Sequence, residues 1–459
     1  MTSDPARPAA PGPGADPGSG SGGAPGVAAV PEPLRPGPPV PLNTPLAPRD
    51  PGRRGEPWPP RLLRSAVARG FAPAPSWSVP VRHLLPDGSV TEGAEPAARR
   101  LADGIAARAA DGGPGAGRTG PALVLVAPTA VGRATAAAQQ SRLDALLDRV
   151  GEVTAGHPGV PVVLVLGMQW TSPEEERESL ERLRSLLARA SARLPEVGCC
   201  GLWLPGPGKP RTLNAAIAVA EALGAAGVGW VDDDVTLDPG ALARLVTAFR
   251  AAGCRGAVGA TKVPHTKEYA TSRALARAKE ISATATSYPH GCCILVGTDV
   301  VAGGMPGRYL SDDGYVCFRL LAPELPDPLA RLRLVPDAIC HYYVAGPAGE
   351  TRRRIRRLLL NHLVDLADWP LPVARHYFRH VLFAGVWPLT GWDGSRGRRH
   401  GLKKAAIGWL YFGWFAKVAA ELCLRGVARR PLRRIEWAPY SSVPAPRPAA
   451  SARLCEESR

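Results

Sequence analysis

The sequence predicts an α/β protein with a mostly parallel sheet. From residue 119 onward, short apolar runs alternate with longer amphipathic segments, which is the pattern of strands alternating with helices. One apolar run ends in three consecutive aspartates, and open α/β sheets place their ligands at the carboxyl ends of strands. Hydrophobic residues make up 45% of the 459 residues, which supports a substantial core.

Two regions precede this main domain. Residues 1–56 have few large apolar side chains and are rich in Pro, Gly and Ala, so we expect a disordered tail. Residues 57–118 are expected to form a small accessory region. Within it, Pro-Asp-Gly at 86–88 lies between short apolar runs and predicts a hairpin, and residues 94–110 are expected to be helical.

The elements of the main domain, residues 119–350, follow from periodicity. Apolar runs bounded by turn residues predict strands, and apolar residues at every third or fourth position predict helices. The expected elements, in chain order, are a strand at 122–127, a helix at 134–150, a strand at 160–167, a helix at 173–194, a strand at 198–204, a helix at 212–223 and a strand at 228–231.

Asp232, Asp233 and Asp234 close the last of these strands, within Gly-Val-Gly-Trp-Val-Asp-Asp-Asp-Val at 227–235. A buried carboxylate without a partner is costly, so we expect a divalent cation nearby. Because side chains alternate along a strand, Asp232 and Asp234 should point to the same side. Two hard oxygen ligands suit Mg²⁺ or Mn²⁺ carrying a diphosphate, so we predict that Asp232 and Asp234 bind a metal.

An alternative is that these aspartates only cap the next helix. Asp238 and Pro239 suit that purpose better, as N-cap and first helical residue. Beyond them, Leu242, Leu245 and Phe249 fall at helical spacing. This arrangement favours ligand binding by the three aspartates.

Three further features complete the chemistry of a reaction site. They are the basic loop Gly-Lys-Pro-Arg-Thr-Leu-Asn at 208–214, the acidic pair Asp312-Asp313 and an arginine cluster at 352–357. A metal and arginines would neutralise a leaving diphosphate, while a separate carboxylate would deprotonate an acceptor hydroxyl. Together they predict transfer of a group from a nucleoside diphosphate.

The order and spacing of these features resemble glycosyltransferase family 2, over residues 121–360. The resemblance implies the GT-A fold, a Rossmann-like mixed sheet with helices on both faces, and direct transfer of a sugar with inversion. The family's last motif, Gln/Arg-x-x-Arg-Trp, has only a loose counterpart here. The segments similar to family motifs are 208–214, 232–239, 290–304, 312–313 and either 353–357 or 351–355.

The resemblance also implies a role for each residue. Asp313 would be the catalytic base, with Asp312 as the variable acid beside it. Asp234 would bind the metal, Mn²⁺ or Mg²⁺, and Asp232 would face the donor ribose or a metal-bound water. The basic loop at 208–214 would lie near the nucleotide, and Arg353 and Arg356 would lie near the diphosphate or the acceptor. The expected substrate-binding residues are Lys209, Arg211, Asn214, Asp232, His290, Gly291, Arg353 and Arg356.

Two departures from the family pattern concern the substrates. The acid that follows the family's second strand and helps recognise the nucleobase is missing from 163–170, where Gln169 is the available hydrogen-bonding residue. This leaves the base of the donor open. The tryptophan of the last motif is replaced by Arg357 or Ile355, which favours single transfer over processive synthesis.

Each feature also has a structural interpretation. Asp312-Asp313 suits the cap of a following helix, the arginine cluster suits a solvated helix face, and Lys209 suits an ordinary surface loop. His341 is a further candidate metal ligand, although most histidines are structural. The joint occurrence of the features favours the catalytic interpretation.

The net charge of +16 is unevenly distributed. Residues 351–459 hold 21 Lys or Arg against 7 Asp or Glu, which gives +14 and leaves +2 for the rest. No nucleic-acid-binding motif accompanies this charge, so we expect no nucleic-acid partner and favour anionic lipids or phosphates. The nine cysteines lack metal-ligand spacing and the Pro/Gly-rich start lacks a secretory signal, which predicts buried free thiols in a reducing compartment.

The segment 351–459 is predicted to be a basic helical region at the membrane interface, with a disordered end. Residues 405–424 are long enough to span a bilayer. However, Lys417 and Glu421 lie inside that stretch and would each cost roughly 3 kcal/mol, although they are spaced to pair. Both flanks are basic, which favours a helix lying in the interface. Spanning and packing onto the protein body are the alternatives.

We therefore expect a metal-dependent inverting glycosyltransferase at the cytoplasmic face of the cell membrane, or alternatively in the cytoplasm. Its partners would be a nucleoside-diphosphate sugar and a lipid-linked or small-molecule acceptor. One alternative is a nucleotidyltransferase that makes a nucleotide-sugar, but 129–133 supplies only one Gly where a Gly-rich phosphate loop is expected. Another is a non-catalytic, membrane-associated binding protein on the same scaffold.

Overall fold

Apolar runs rich in Val, Leu and Gly form one ten-stranded mixed sheet in the described part of the computed structural model. The strands are β1 (Arg82–Leu84), β2 (Val90–Glu92), β3 (Leu123–Ala130), β4 (Val162–Trp170), β5 (Gly198–Pro205), β6 (Gly227–Val231), β7 (Val235–Leu237), β8 (Ala257–Pro264), β9 (Cys293–Gly297) and β10 (Leu332–Tyr342). The structure describes residues 80–110, 120–206, 208–264, 288–305, 309, 311–342, 348–383, 398–428 and 430, with 63, 65–67 and 69.

The helices alternate with these strands through the main domain. Later in the chain they follow one another, and a short π-helical stretch at Tyr377–Leu382 comes after the ninth. The helices are α1 (Ala94–Ala110), α2 (Ala136–Gly156), α3 (Pro173–Arg193), α4 (Lys209–Ala222), α5 (Ala241–Ala251), α6 (Thr298–Val301), α7 (Asp312–Leu320), α8 (Ala348–Asp368), α9 (Leu371–His376) and α10 (Arg398–Val427).

The strand order is β2-β1-β5-β4-β3-β6-β9-β8-β10-β7. The central strands β5, β4, β3 and β6 are parallel to one another, and β9 is antiparallel to both β6 and β8. Because β4, β3 and β6 run the same way, their carboxyl ends meet at one edge of the sheet. The accessory hairpin joins the sheet through β1, which pairs antiparallel to β5.

Two apolar clusters cover the two faces of the sheet. On one face, α4 and α7 pack on the strands, with Ile217 and Tyr315 buried among them. On the other, α2, α3 and α5 contribute Val150, Leu183 and Phe249, each fully buried. The prediction of a mixed α/β fold with helices on both faces is confirmed, and so are the predicted strands and helices between residues 82 and 231, with shifted ends.

The predicted cap of the helix after the three aspartates is wrong. That helix, α5, begins at Ala241 after Gly240, whose φ of 74° is left-handed. Residues 235–237 form β7 against β10, so the chain turns through Pro239 and Gly240 before it becomes helical. The Asp238 carboxylate instead lies 2.9 Å from His341 Nε2.

The C-terminal helices form a third apolar cluster. The inner side of α10 packs on α8, and the shared core includes Leu359, Leu363, Phe415 and Leu422. Glu421 forms ion pairs with Arg356 of α8, at 2.6 Å, and with Arg425, rather than with the predicted partner Lys417. The α8–α10 contact shows packing onto the protein body for this side of the helix. Within the described residues, no helix has the length and apolar character needed to cross a membrane.

Six of the eight cysteines of the described residues are buried, and all eight are free thiols. This confirms the predicted buried free thiols. The disordered tail predicted at 1–56 and the end of the chain after residue 430 lie outside the described residues. So do the side chains of Arg352 and Arg354 in the predicted arginine cluster.

Candidate functional site

The three aspartates follow β6 at the edge where the parallel strands end. The strand stops at Val231, and residues 232–234 form the start of a turn into β7, so strand alternation does not govern them. Asp232 faces Lys209 at the start of α4, whereas Asp233 and Asp234 both lie near Arg133. Alternation along a strand therefore does not apply to these residues, but Asp234 lies close enough to Asp232 to raise its pKa, and their shared metal stays a prediction.

Lys209 joins two of the predicted motifs. Its Nζ lies 2.6 Å from Asp232 Oδ1 and 2.8 Å from Asp312 Oδ2, and it donates a hydrogen bond to the carbonyl of Gly291 at 2.5 Å. Burial alone would lower the pKa of Lys209, but the two carboxylates raise it above its usual value. The lysine is therefore a cation fixed between the acidic pair Asp312-Asp313 and the turn at 232–234, which we call the metal-candidate turn.

The carboxylates of Asp232 and Asp312 together carry more negative charge than Lys209 balances. Burial raises the pKa of Asp232, Lys209 lowers it, and Asp234 and Asp312 raise it; the net result is a pKa of about 6. Burial also raises the pKa of Asp312, against the lowering effect of Lys209. A cluster of carboxylates that resists ionisation attracts a further cation.

Asp313 lies in a different environment from its neighbour. Its Oδ1 accepts hydrogen bonds from Ser311 Oγ and, at 2.9 Å, from the backbone N–H of Gly314. Its Oδ2 accepts one from the N–H of Gly291 at 3.2 Å and lies 3.5 Å from His290 Nδ1. Burial would raise the pKa of Asp313, but His290, Ser311 and Gly291 hold it well below its usual range.

Local sequence explains how the acidic pair is held. Ser311 is the N-cap of α7, and its side chain accepts from the N–H of Gly314, so both aspartates occupy the first helical turn. The positive end of a helix favours carboxylates there. Asp313 therefore stabilises the first turn of α7, as the capping interpretation predicts, and it also contacts His290. At Gly291 a Cβ would lie 2.8 Å from Asp312 Oδ1, so a side chain here would displace that carboxylate.

Gln169, at the end of β4, anchors the basic loop. Its Nε2 donates to the carbonyl of Gly208 at 2.7 Å and to Thr212 Oγ1 at 2.8 Å, while its Oε1 accepts from the N–H of Gly208 at 3.1 Å. The side chain is buried. The residue at the position of the family's missing acid thus holds the first turn of α4, and with it Lys209.

Two other predicted residues of α4 contact the backbone of neighbouring loops. Asn214 donates to the carbonyl of Met305 and accepts from its N–H, both at 2.7 Å. Arg211 donates to the carbonyl of Pro205, and burial lowers the pKa of Arg211 to about 10. Their predicted contacts with substrate stay predictions.

The predicted arginines of the last motif lie on α8. Arg353 is exposed, and Arg356 pairs with Glu421 in the contact between α8 and α10. The structure shows no ion pair between either arginine and the described acidic residues that surround Lys209. Their role toward a diphosphate stays a prediction.

Sequence reasoning missed Arg133 as a site residue. It follows β3, and its guanidinium lies 3.1 Å from Asp233 Oδ1 and 3.4 Å from Asp234 Oδ2. Thr129 Oγ1 also donates to Asp233 Oδ2 at 2.6 Å. A signal was present in the sequence, because residues just after the first strand of a parallel sheet meet those after its neighbour.

A cavity of about 240 Å³ opens beside the three aspartates. Its walls are mostly apolar side chains of α2, α3 and the strands, and polar groups from α2 line part of it. These polar residues are Gln139, Ser141, Arg142 and Arg149. The space lies next to the carboxylates, where a ligand with phosphates could be bound through a cation.

The donor set at the aspartates fits a substrate-assisted metal site. No group of three or more His, Cys, Asp or Glu side chains within the described ranges could enclose a metal by itself. Magnesium is commonly held by one or two carboxylates together with substrate phosphates and water. Asp232 and Asp234 match that type of site. His341, the further candidate ligand, lies in β10 and contacts Asp238.

Comparison with known proteins leaves the family open. No family model and no curated protein matches the chain. A crystal structure of a mycobacterial protein is 14% identical with a TM-score of 0.31, over 64% of this chain and 85% of that one. UTP-bound UGPase from Acinetobacter baumannii is 12% identical with a TM-score of 0.27, over 60% and 98%. UDP-glucose pyrophosphorylase from the same organism is 14% identical with a TM-score of 0.27, over 60% and 97%. Similarity at this level assigns no activity to the chain.

Proposed function

We propose that this protein is a metal-assisted glycosyltransferase that moves a sugar from a nucleoside diphosphate to a hydroxyl acceptor with inversion. The observation that carries the proposal is the position of Lys209 between Asp232 and Asp312. Through it, the metal-candidate turn, the basic loop and the acidic pair meet in one site, although they lie far apart in sequence. That is the set of charges needed to hold a diphosphate beside a base.

The donor would bind at the turn after β6. Asp232 and Asp234 would hold Mn²⁺ or Mg²⁺ together with the diphosphate, and the bound metal would supply positive charge to the leaving group. Lys209 and Arg133 would add fixed positive charge beside these phosphates. The neighbouring cavity offers space for the nucleoside.

The acceptor would approach from the side of α7. Its O–H bond breaks as the oxygen attacks the anomeric carbon, and the bond from that carbon to the diphosphate breaks with inversion. The proton passes to the pair formed by Asp313 and His290. Asp313 is kept ionised by its hydrogen bonds, which makes it a weak base alone, and it would stabilise the imidazolium when His290 takes the proton.

Two measurements test this proposal. Purified protein with Mn²⁺ should bind one of the uridine, guanosine or thymidine diphosphates, and Asp234→Ala should remove the metal dependence of that binding. With the matching nucleotide-sugar and a lipid-linked or soluble hydroxyl acceptor, Asp313→Asn should keep donor binding and lose transfer. Asp87→Asn, on the exposed turn between β1 and β2, is the matched control and should keep both. Absence of nucleotide binding, or full transfer by Asp313→Asn, would refute the proposal.

A nucleotidyltransferase that makes a nucleotide-sugar is the second candidate. Arg133 favours it, because it places an arginine from the loop after β3 beside Asp233 and Asp234, where the phosphates of a nucleoside triphosphate would lie. The two activities differ in products. Release of pyrophosphate from a nucleoside triphosphate and a sugar 1-phosphate would establish the second candidate. Nucleotide binding without either turnover would instead indicate a binding protein.

A further inference from the structure

Exposed apolar side chains are concentrated on one helix. Seven large hydrophobic residues in the described ranges are exposed, and six of them belong to α10. Their exposed fractions run from 36% for Trp414 to 78% for Val427. The six are Leu402, Trp409, Leu410, Trp414, Leu424 and Val427. A concentration of exposed apolar side chains on one helix marks a surface that contacts a partner.

These residues form one side of the helix, which we call the outer face of α10. Successive members are seven, one, four, ten and three residues apart, which at 3.6 residues per turn places all six on one broad side of the helix. Phe415, Val418 and Leu422 lie on the opposite side and are buried against α8. The helix is therefore apolar on two sides, and its inner side already has a partner within the protein.

The charge around the outer face identifies the partner. The sequence of α10 holds six Lys or Arg and one Asp or Glu, and four more arginines follow between 429 and 434. The single acid, Glu421, is already paired with Arg356 and Arg425. Lys417 lies exposed among the apolar residues of the outer face. A second copy of this face would bring positive charge against positive charge, whereas anionic lipid headgroups would neutralise it.

We propose that the outer face of α10 binds the surface of an anionic lipid bilayer, with the helix lying parallel to the membrane. Trp409 and Trp414 would enter the region of the headgroups, which tryptophan prefers, and Leu410 and Leu424 would reach the acyl chains. Lys417 and the flanking basic residues would contact headgroup phosphates. The proposal does not depend on the catalytic activity. It would place the protein at a membrane surface, within reach of a lipid-linked acceptor.

Vesicle sedimentation of the full chain tests the proposal. The protein should bind vesicles of phosphatidylcholine with phosphatidylserine, bind vesicles of phosphatidylcholine alone more weakly, and dissociate from the former as salt is raised. Trp409→Ser with Leu410→Ser should reduce the partition coefficient at least tenfold. Lys417→Gln should reduce it about fivefold, the effect expected for one basic residue near an anionic surface.

Val90→Ser is the matched control. Val90 is the remaining exposed large hydrophobic residue of the described ranges and lies on β2, so its change should leave vesicle binding unaltered. Circular dichroism and thermal unfolding of each variant check that the fold is kept. The proposal is overturned if the wild type does not bind anionic vesicles, or if the double variant binds as well as the control. A dimer in solution that the double variant abolishes, without vesicle binding, would assign the face to a second copy.

Discussion

Replacing Asp232 by Asn should change how the stability of the protein depends on pH. In the folded protein, burial and the neighbouring acids raise the pKa of Asp232 from 3.8 to about 6. A carboxyl group whose pKa is higher in the folded state binds its proton more tightly there. Its contribution to stability is therefore present below pH 3.8 and is lost as the pH rises towards 6.

The size of this loss follows from the pKa. A difference of about two units corresponds to about 3 kcal/mol, at 1.36 kcal/mol per unit. Asn cannot ionise, so Asp232→Asn lacks this loss. The stability of the variant relative to wild type should therefore increase by about 3 kcal/mol between acid and neutral pH. This gain should shrink when Mn²⁺ and a nucleoside diphosphate are added, because a bound cation favours the ionised carboxylate.

Urea denaturation followed by circular dichroism across this pH range measures the effect. Asp144→Asn is a control of opposite sign, because the hydrogen bond and charge of Arg189 lower the pKa of Asp144. Wild type should therefore gain stability relative to that variant as the pH rises through the acid range. If Asp232→Asn and wild type showed parallel pH profiles, the excess of negative charge at the site would be refuted.

Three further substitutions test the supports of the site and of the C-terminal helices. Gln169→Leu should cost about 1–3 kcal/mol in urea denaturation, because the buried Thr212 hydroxyl and the half-buried backbone of Gly208 lose their hydrogen bonds. It should also weaken nucleotide binding, and unchanged affinity would contradict the anchoring role. Gly291→Ala should lower the rate of sugar transfer more than donor binding, because a Cβ there contacts the Asp312 carboxylate. A transfer rate equal to that of wild type would contradict this close approach. Glu421→Gln should cost at most about 1 kcal/mol by thermal unfolding, because its ion pairs are partly exposed; a loss of several kcal/mol would show that the α8–α10 contact depends on it.

The sequence predicted those parts of the fold that depend on local patterns. Strands such as β4 are continuous apolar runs, and the N-cap of α3 at Ser172 is readable from the residues that follow it. Lys209 and the aspartates at 232–234 and 312–313 are identifiable from sequence because few other residue types bind a diphosphate or its metal. The family resemblance predicts that these residues lie in one site, but it does not predict that Lys209 forms ion pairs with both Asp232 and Asp312.

The errors came from interactions between distant segments. Asp238 looked like an N-cap, but pairing of β7 with β10 brings His341 to it and delays the helix. Lys417 was the obvious partner for Glu421 by spacing, but α8 supplies Arg356 from 65 residues away. The alternation of side chains along β6 does not continue into residues 232–234, because the strand ends at Val231. Each of these depends on which elements pack together, which local periodicity does not contain.

The accessory hairpin also covers part of an apolar strand edge. Strand β5 is an eight-residue strand whose residues are all buried, and β1 of the hairpin pairs with Gly201, Leu202 and Trp203. The outermost strands of the sheet, β2 and β7, have only three residues each. Short outer strands offer few unpaired backbone groups to another chain, so they protect against aggregation by strand addition. Removing residues 80–92 would expose the outer edge of β5, so we expect the hairpin to protect this apolar strand from pairing with another chain.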